Sequence, residues 1–257
     1  MSVRCKKQYE GKVFKTKNCG DLIVTKYINS TEVYISFLET GYSTVSRMGC
    51  IISGNVKDKL LPSVRGVGVI GDEAIKCGGK YTREYKLWQD MLGRCYSQKL
   101  HARVPSYADC TTSENFNYFP IFKKWCHSQI GFDSLDDRGR RFQLDKDILI
   151  KGNKIYSENT CVFVPQEVNL LLSSCSIKRG ETVLGVSFDK NYKKFVSCLN
   201  VFGKQVRLGV FDTEFEAFLV YKEAKEKQVG VVANKWKDRI DPRVYEVLIN
   251  YEVDIND

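Results

Sequence analysis

Gln143-Leu144-Asp145-Lys146-Asp147-Ile148-Leu149, then Gly152-Asn153, then Tyr156-Ser157-Glu158-Asn159-Thr160-Cys161-Val162-Phe163-Val164-Pro165, and finally Asn169, form the stretch on which the reading of this chain turns. A short strand with two carboxylates, a Gly-Asn turn and a second apolar run lead through Pro165 into a helix bearing Val168, Leu170, Leu171 and Leu172. In a strand, side chains two apart share a face, so Asp145 and Asp147 are expected to project together while Lys146 points away. Two carboxylates with amide oxygens from Asn159 or Asn169 make a hard-oxygen set suited to Mg²⁺ or Mn²⁺. The plainer alternative is that the acids are polar strand positions and that Asn153 and Asn159 are turn formers.

Working outward, residues 1–70 alternate apolar and polar positions. Val13-Phe14, Leu22-Ile23-Val24, Val33-Tyr34-Ile35-Ser36-Phe37-Leu38 and Cys50-Ile51-Ile52 are separated by Gly- and Asn-bearing turns. That spacing predicts a small antiparallel β-barrel. After a glycine-punctuated connector, Thr82 caps a helix with Tyr85, Trp88, Leu92 and Cys95 at helical spacing. A second helix over residues 118–129 aligns Phe119, Phe122, Trp125 and Cys126, and residues 133–141 read as a surface loop. Beyond a basic linker at 173–180, three strands are expected around Val186, over 195–201 and over 205–211. Asp212 or Thr213 then caps a helix whose apolar stripe is Phe215, Phe218, Leu219, Tyr221 and Ala224, and a last helix starts at Asp241-Pro242. The chain is thus expected to be α+β and multi-domain, divided at 1–70, 71–177 and 178–257.

Composition narrows the function classes. The 257 residues are 43% hydrophobic and 28% charged, which excludes wholesale disorder. No apolar run is long enough to span a bilayer, and the first residues lack the apolar core of a signal peptide, so a cytoplasmic protein with no membrane partner is expected. Ten cysteines occur without a Cys-x-x-Cys pair, which favours reduced, buried thiols over zinc or a disulfide framework. With only His101 and His127, most histidine-based metal and triad chemistry is removed. Charge is unevenly placed: residues 1–70 hold 11 basic and 5 acidic residues, net +6, and residues 178–211 hold 7 and 2, net +5. Basic modules of this kind suit a polyanion, because each neutralised phosphate releases counterions.

The stretch from Gln143 to Asn169 resembles the core of HNH (ββα-metal) nucleases of the phage homing-endonuclease type. The resemblance implies that Asp145 and Asn169 hold one divalent ion and that Asn159 orients the site. Lys146 stands where that family has its general-base histidine. A lysine is normally protonated, so either Asp147 or Lys146 assists in another way, or the scaffold no longer cuts. The third module resembles the Apetala/ERF-type DNA-binding domain through Gly185-Val186, Phe195-Val196-Ser197, Leu208-Gly209-Val210-Phe211-Asp212-Thr213 and Glu216-Ala217. That resemblance implies that Ser197, Leu199 and Leu208 face a helix. Asn200 and Arg207, with Lys190, Lys194 and Lys204, would meet double-stranded DNA. Together the two resemblances, over residues 80–230, imply a tailed-phage protein acting in the host cytoplasm as a metal-dependent DNA endonuclease or nickase. The alternatives are a DNA-binding protein without catalysis and a phage protein directed at a host factor through its first module.

Overall fold

A computed structural model of the chain describes residues 8–172, 182–201 and 203–255; the 173–180 linker and Phe202 lie outside them. The fold is mixed α+β with several separate sheets. It divides into two compact units, Met1–Lys124 and Trp125–Asp257.

In the first unit, β1 (Val13–Lys15), β2 (Asp21–Asn29), β3 (Glu32–Phe37) and β4 (Ser43–Ser46) form one antiparallel sheet in that order. Leu22, Val24, Val33, Ile35 and Phe37 alternate onto its buried face, and helix α1 (Met48–Ile52) covers it with Met48 and Ile51. The expected barrel does not form among the described residues: β1 and β4 remain edges of an open sheet. The reason is local. Residues 50–52, expected as a closing strand, are helical, so the apolar run caps the sheet instead of pairing with it. The strand Ser43–Ser46 went unseen because its serines and threonine mask the alternation.

Two short strands, β5 (Lys76–Cys77) and β6 (Lys80–Tyr81), precede helix α2 (Arg83–Tyr96), which Thr82 caps by accepting from Tyr85 N. Helix α3 (Gln98–Arg103), a 3₁₀ turn (Pro105–Tyr107), β7 (Thr111–Thr112), α4 (Glu114–Asn117) and α5 (Phe119–Ser128) follow. Trp88 is fully buried, meets the tilted ring of Phe119 at 5.3 Å and donates its indole N–H to the Phe116 carbonyl at 2.7 Å. The division between units falls inside α5, within the segment 71–177.

In the second unit, β8 (Gln143–Asp145) pairs antiparallel with β10 (Val162–Val164), joining Asp145 to Val162 and Gln143 to Val164. Between them lies β9 (Ile155–Tyr156), and directly after β10 comes helix α6 (Gln166–Leu172). The C-terminal sheet runs β11 (Val186–Asp189), β12 (Lys194–Val201), β13 (Lys204–Phe211), all antiparallel. Helix α7 (Glu214–Trp236) is opened by a full capping box: Thr213 Oγ1 accepts from Glu216 N and Glu216 reaches back to Thr213 N. Thr213, rather than Asp212, is therefore the cap. Helix α8 (Pro242–Ile249) starts on Asp241, whose side chain accepts from Arg243 N.

Helix α7 is long enough to serve two cores. Its first half buries Ala217, Phe218 and Tyr221 against Val186 and Leu199 of the sheet. Its second half buries Val229, Val232, Ala233 and Trp236, and Trp236 meets Phe142 edge-on at 5.6 Å. Phe215 and Leu219, expected on the apolar stripe, are instead 59% and 46% exposed. Phe218 and Tyr221 of the same expected stripe are buried, with Ala217 beside them. Gly185 shows why the sheet begins on glycine: its φ is +77°, and a Cβ there would stand 2.0 Å from the Tyr221 ring.

Candidate functional site

The strand β8 ends at Asp145, and residues 146–149 form a bend. Asp145 and Asp147 are therefore not paired by strand alternation, as the sequence suggested. Asp145 Oδ1 instead accepts from the backbone N–H of Asp147 at 2.9 Å and of Ile148 at 2.8 Å, curling the chain back on itself. This turn still brings the two acids together. Burial, reinforced by the negative charge of Asp147, pushes the Asp145 carboxyl above the usual carboxylate range.

Lys146 is buried, at 7% exposed. Its ammonium donates to the Asn153 carbonyl at 2.8 Å and to Asp147 Oδ2 at 3.1 Å, and lies 5.9 Å from the Tyr156 ring centre. Asn153 returns the contact by donating Nδ2 to the carbonyls of Lys146 and Ile155, each at 2.7 Å. Gly152, at φ +76°, makes the turn that allows it. Lys146 is thus a pin for the 146–155 loop, with two of its three donors committed within the protein.

The loop leading to β10 is knitted by Ser157 Oγ to Thr160 Oγ1 at 2.8 Å and by Cys161 N donating to the Ser157 carbonyl at 2.9 Å. Trp125 Nε1 donates to the Glu158 carbonyl at 3.3 Å. Burial pushes the Cys161 thiol up to about 12, so it serves as an inert apolar filler next to Asp145. Asn159 sits on the rim of an open cavity with Leu149, Arg243, Glu246 and Asn250, and Arg243 Nη1 donates to its carbonyl at 3.2 Å.

Asn169 projects from α6 and donates Nδ2 to Gln143 Oε1 at 3.0 Å. Gln143 and Asp145 lie two apart in β8 and share a face, so Asn169 and Asp145 address the same side of the strand pair. No group of three or more His, Cys, Asp and Glu gathers as a metal cluster among the described residues. Asp145 and Asn169, with Asp147 in the bend beside them and paired to Lys146, carry oxygen donors of the hard kind that Mg²⁺ or Mn²⁺ takes. A cation there would also relieve the unfavourable pairing of the two carboxylates.

In the C-terminal sheet, the register sets the faces. Ser197, Leu199 and Val201 alternate towards α7, and Leu208 joins them at the bulge between Ser197 and Cys198. Asn200, opposite Gln205, and Arg207, opposite Cys198, lie on the other face and are exposed. Lys194 shares that face but is ion-paired with Asp212. Lys190 is exposed in the hairpin between β11 and β12, where Asp189 Oδ1 accepts from Asn191 N and Tyr192 N. Lys204 pairs with Val201 and so falls on the helix side of the sheet, a departure from the expected grouping: it lies three residues from Arg207 in a regular stretch of β13, and an odd spacing puts the two on opposite faces.

Three anchors of the site were not read from sequence. Glu167 on α6 accepts from Trp236 Nε1 at 2.8 Å and from Lys235 Nζ at 2.7 Å. Lys225 donates to the Leu171 carbonyl at 2.6 Å, satisfying the end of α6. Arg243 holds Asn159. Only the last had a local signal, the Asp241-Pro242-Arg243 cap; the others follow from the length of α7. Among the described residues, no helix is long and apolar enough to cross a membrane. Compared with known proteins, the chain matches no protein-family model, no curated protein and no solved structure.

Proposed function

We propose that the chain is a DNA-binding protein of HNH-type architecture that cuts or nicks DNA with one divalent ion, as a phage-type endonuclease would in the host cytoplasm. The observation that supports it best is the order of parts around Asp145. An antiparallel pair, β8 with β10, runs straight into α6, and Asp145 and Asn169 address one face of it. Bound there, Mg²⁺ or Mn²⁺ would supply charge stabilisation at a phosphate under attack. Asp145 and Asn169 would hold the ion, Arg243 would keep Asn159 at the rim, and Asp147 would be the solvent-open carboxylate beside it. The exposed Arg207 and Asn200, with Lys190 nearby, would place duplex DNA. Supercoiled plasmid incubated with the protein and Mg²⁺ or Mn²⁺ tests this. Conversion to open-circle or linear forms is expected for wild type and not for Asp145→Ala, and plasmid left intact by both removes the nuclease reading.

A second reading, DNA binding without cleavage, is favoured by Lys146. Standing where the resemblance expects the base, it is buried and tied to Asn153 and Asp147. Loss of a general base typically costs a factor of about 10²–10⁴. Salt-sensitive duplex binding by a protein that leaves plasmid intact supports this reading. Undiminished affinity in the double change Lys190→Glu and Arg207→Glu removes it.

A further inference from the structure

Among the described residues, two that are not glycine hold a left-handed backbone, Arg65 at φ 55° and Lys193 at φ 49°. Arg65 is the more informative. It stands with Gly66, at φ 79°, as the two central residues of a tight turn closed by Val67 N donating to the Val64 carbonyl at 3.2 Å. Two left-handed central residues are the pattern of a type I′ turn, which glycine, asparagine or aspartate occupies at little cost and arginine does not.

The turn is also firmly seated. Ser63 N and Val64 N both donate to the Gly68 carbonyl, at 2.8 and 3.1 Å, and Gly68 N returns a bond to Val64. Gly68 rests so tightly on helix α2 that a Cβ would stand 2.5 Å from Leu92 Cδ1 and 2.8 Å from Trp88 Cη2. The strain at Arg65 is therefore fixed in a rigid mount and cannot relax by sliding the loop. Strain held in this way is characteristic of sites that need a side chain in one place.

What it places is a cation. Arg65 is exposed and forms no ion pair among the described residues. Its Nη2 lies 3.9 Å from the Cβ position of Gly93, so the guanidinium rests over α2. Beside it opens a cavity of about 480 Å³ that also presents Ser63, Gln89 and Asp90. Asp90, the one carboxylate on the wall, is not paired with Arg65.

We propose that this turn is a nucleic-acid contact on the first unit, in which Arg65 takes a backbone phosphate with Ser63 and Gln89 offering further hydrogen bonds. Residues 1–70 carry 11 basic against 5 acidic residues, which fits that partner. The inference rests on the reading of the chain as a DNA-binding protein and adds a second point of contact to it.

The test uses the full chain, a fluorescein-labelled duplex read by anisotropy across a salt series, and thermal melting. Arg65→Gly relieves the strained backbone and removes the cation. It is expected to raise Tm while weakening duplex affinity several-fold and lowering the salt slope by about one ion. Affinity and slope equal to wild type overturn the proposal, as does a lowered Tm, which would make Arg65 a tether of the turn. Arg207→Glu is measured alongside. If it weakens binding and Arg65→Gly does not, this contact falls while the DNA reading stands; if wild type binds no duplex at any salt, both fall.

Discussion

Lys146 and Asn153 hold one another through reciprocal hydrogen bonds, Lys146 Nζ to the Asn153 carbonyl at 2.8 Å and Asn153 Nδ2 to the Lys146 carbonyl at 2.7 Å. Lys146 is thus committed to closing the loop that follows Asp145. Lys146→Met keeps the stem and removes the donor, leaving a half-buried carbonyl unmet. It should lose about 1–3 kcal/mol in urea denaturation. A loss of only a few tenths would mean that Asn153 closes the loop alone.

The acid before it sets a pH dependence. Burial and Asp147 raise the Asp145 carboxyl above its usual range, so the folded state holds this proton more tightly than the unfolded chain does. Its contribution to stability is full below the ordinary aspartate value and is lost as pH rises through the folded-state value. Asp145→Asn should therefore stabilise the metal-free protein at neutral pH and flatten the acid side of its stability profile. If Asp145 holds the divalent ion proposed above, Mn²⁺ binding needs the carboxylate and should strengthen with pH over the same window in wild type. Calorimetric titration at several pH values would show it, and a pH-independent affinity would remove Asp145 as the ligand.

Lys225 gives the opposite sign in a different range. Burial lowers its pKa, and its ammonium donates to Leu171 at the end of α6. The unfolded chain holds this proton more tightly, so stability should rise with pH as the alkaline range is approached, towards the ordinary lysine value. Lys225→Met should abolish that rise in denaturation curves run between neutral and mildly alkaline pH.

Several of these features were legible in the sequence and several were not, for physical reasons. Helix α2 was readable because Tyr85, Trp88, Leu92 and Cys95 keep helical spacing and Thr82 caps it. The three C-terminal strands were readable because their turns carry Asn191 and Gly203. Ser43–Ser46 escaped because its side chains are small and polar, and residues 50–52 misled because a short apolar run fits strand or helix equally. The place of Asp147 was missed because an Asx turn, in which Asp145 takes two backbone N–H groups, competes with extending the strand. Glu167, Lys225 and Trp236 were out of reach, since pairings 54 to 69 residues apart depend on how far α7 runs.

That helix also predicts how the second unit melts. Trp236 is 1% exposed, meets Phe142, and donates to Glu167, while Phe218 and Tyr221 of the same helix hold the three-stranded sheet. Trp236→Ala should cost about 3–5 kcal/mol and lower the melting of sheet and strand pair together. Hydrogen exchange would read both at once; loss of protection confined to residues 143–172 would show that the two cores are independent.

Gly185 tests the packing of the sheet on α7. A methyl group there meets the Tyr221 ring at 2.0 Å, and the φ of +77° is one that alanine adopts only with strain. The two penalties act on one residue, and Tyr221 is buried at 6% exposed, so its ring has little room to retreat. Gly185→Ala should cost at least about 2 kcal/mol. Tyr221→Ala in the same chain removes the overlap but leaves the backbone strain, so the double variant should recover part of the loss relative to the sum of the two single changes. A double-mutant cycle by urea denaturation measures this coupling. Strict additivity would mean that the backbone conformation alone, and not the contact with Tyr221, makes glycine necessary at the start of the sheet.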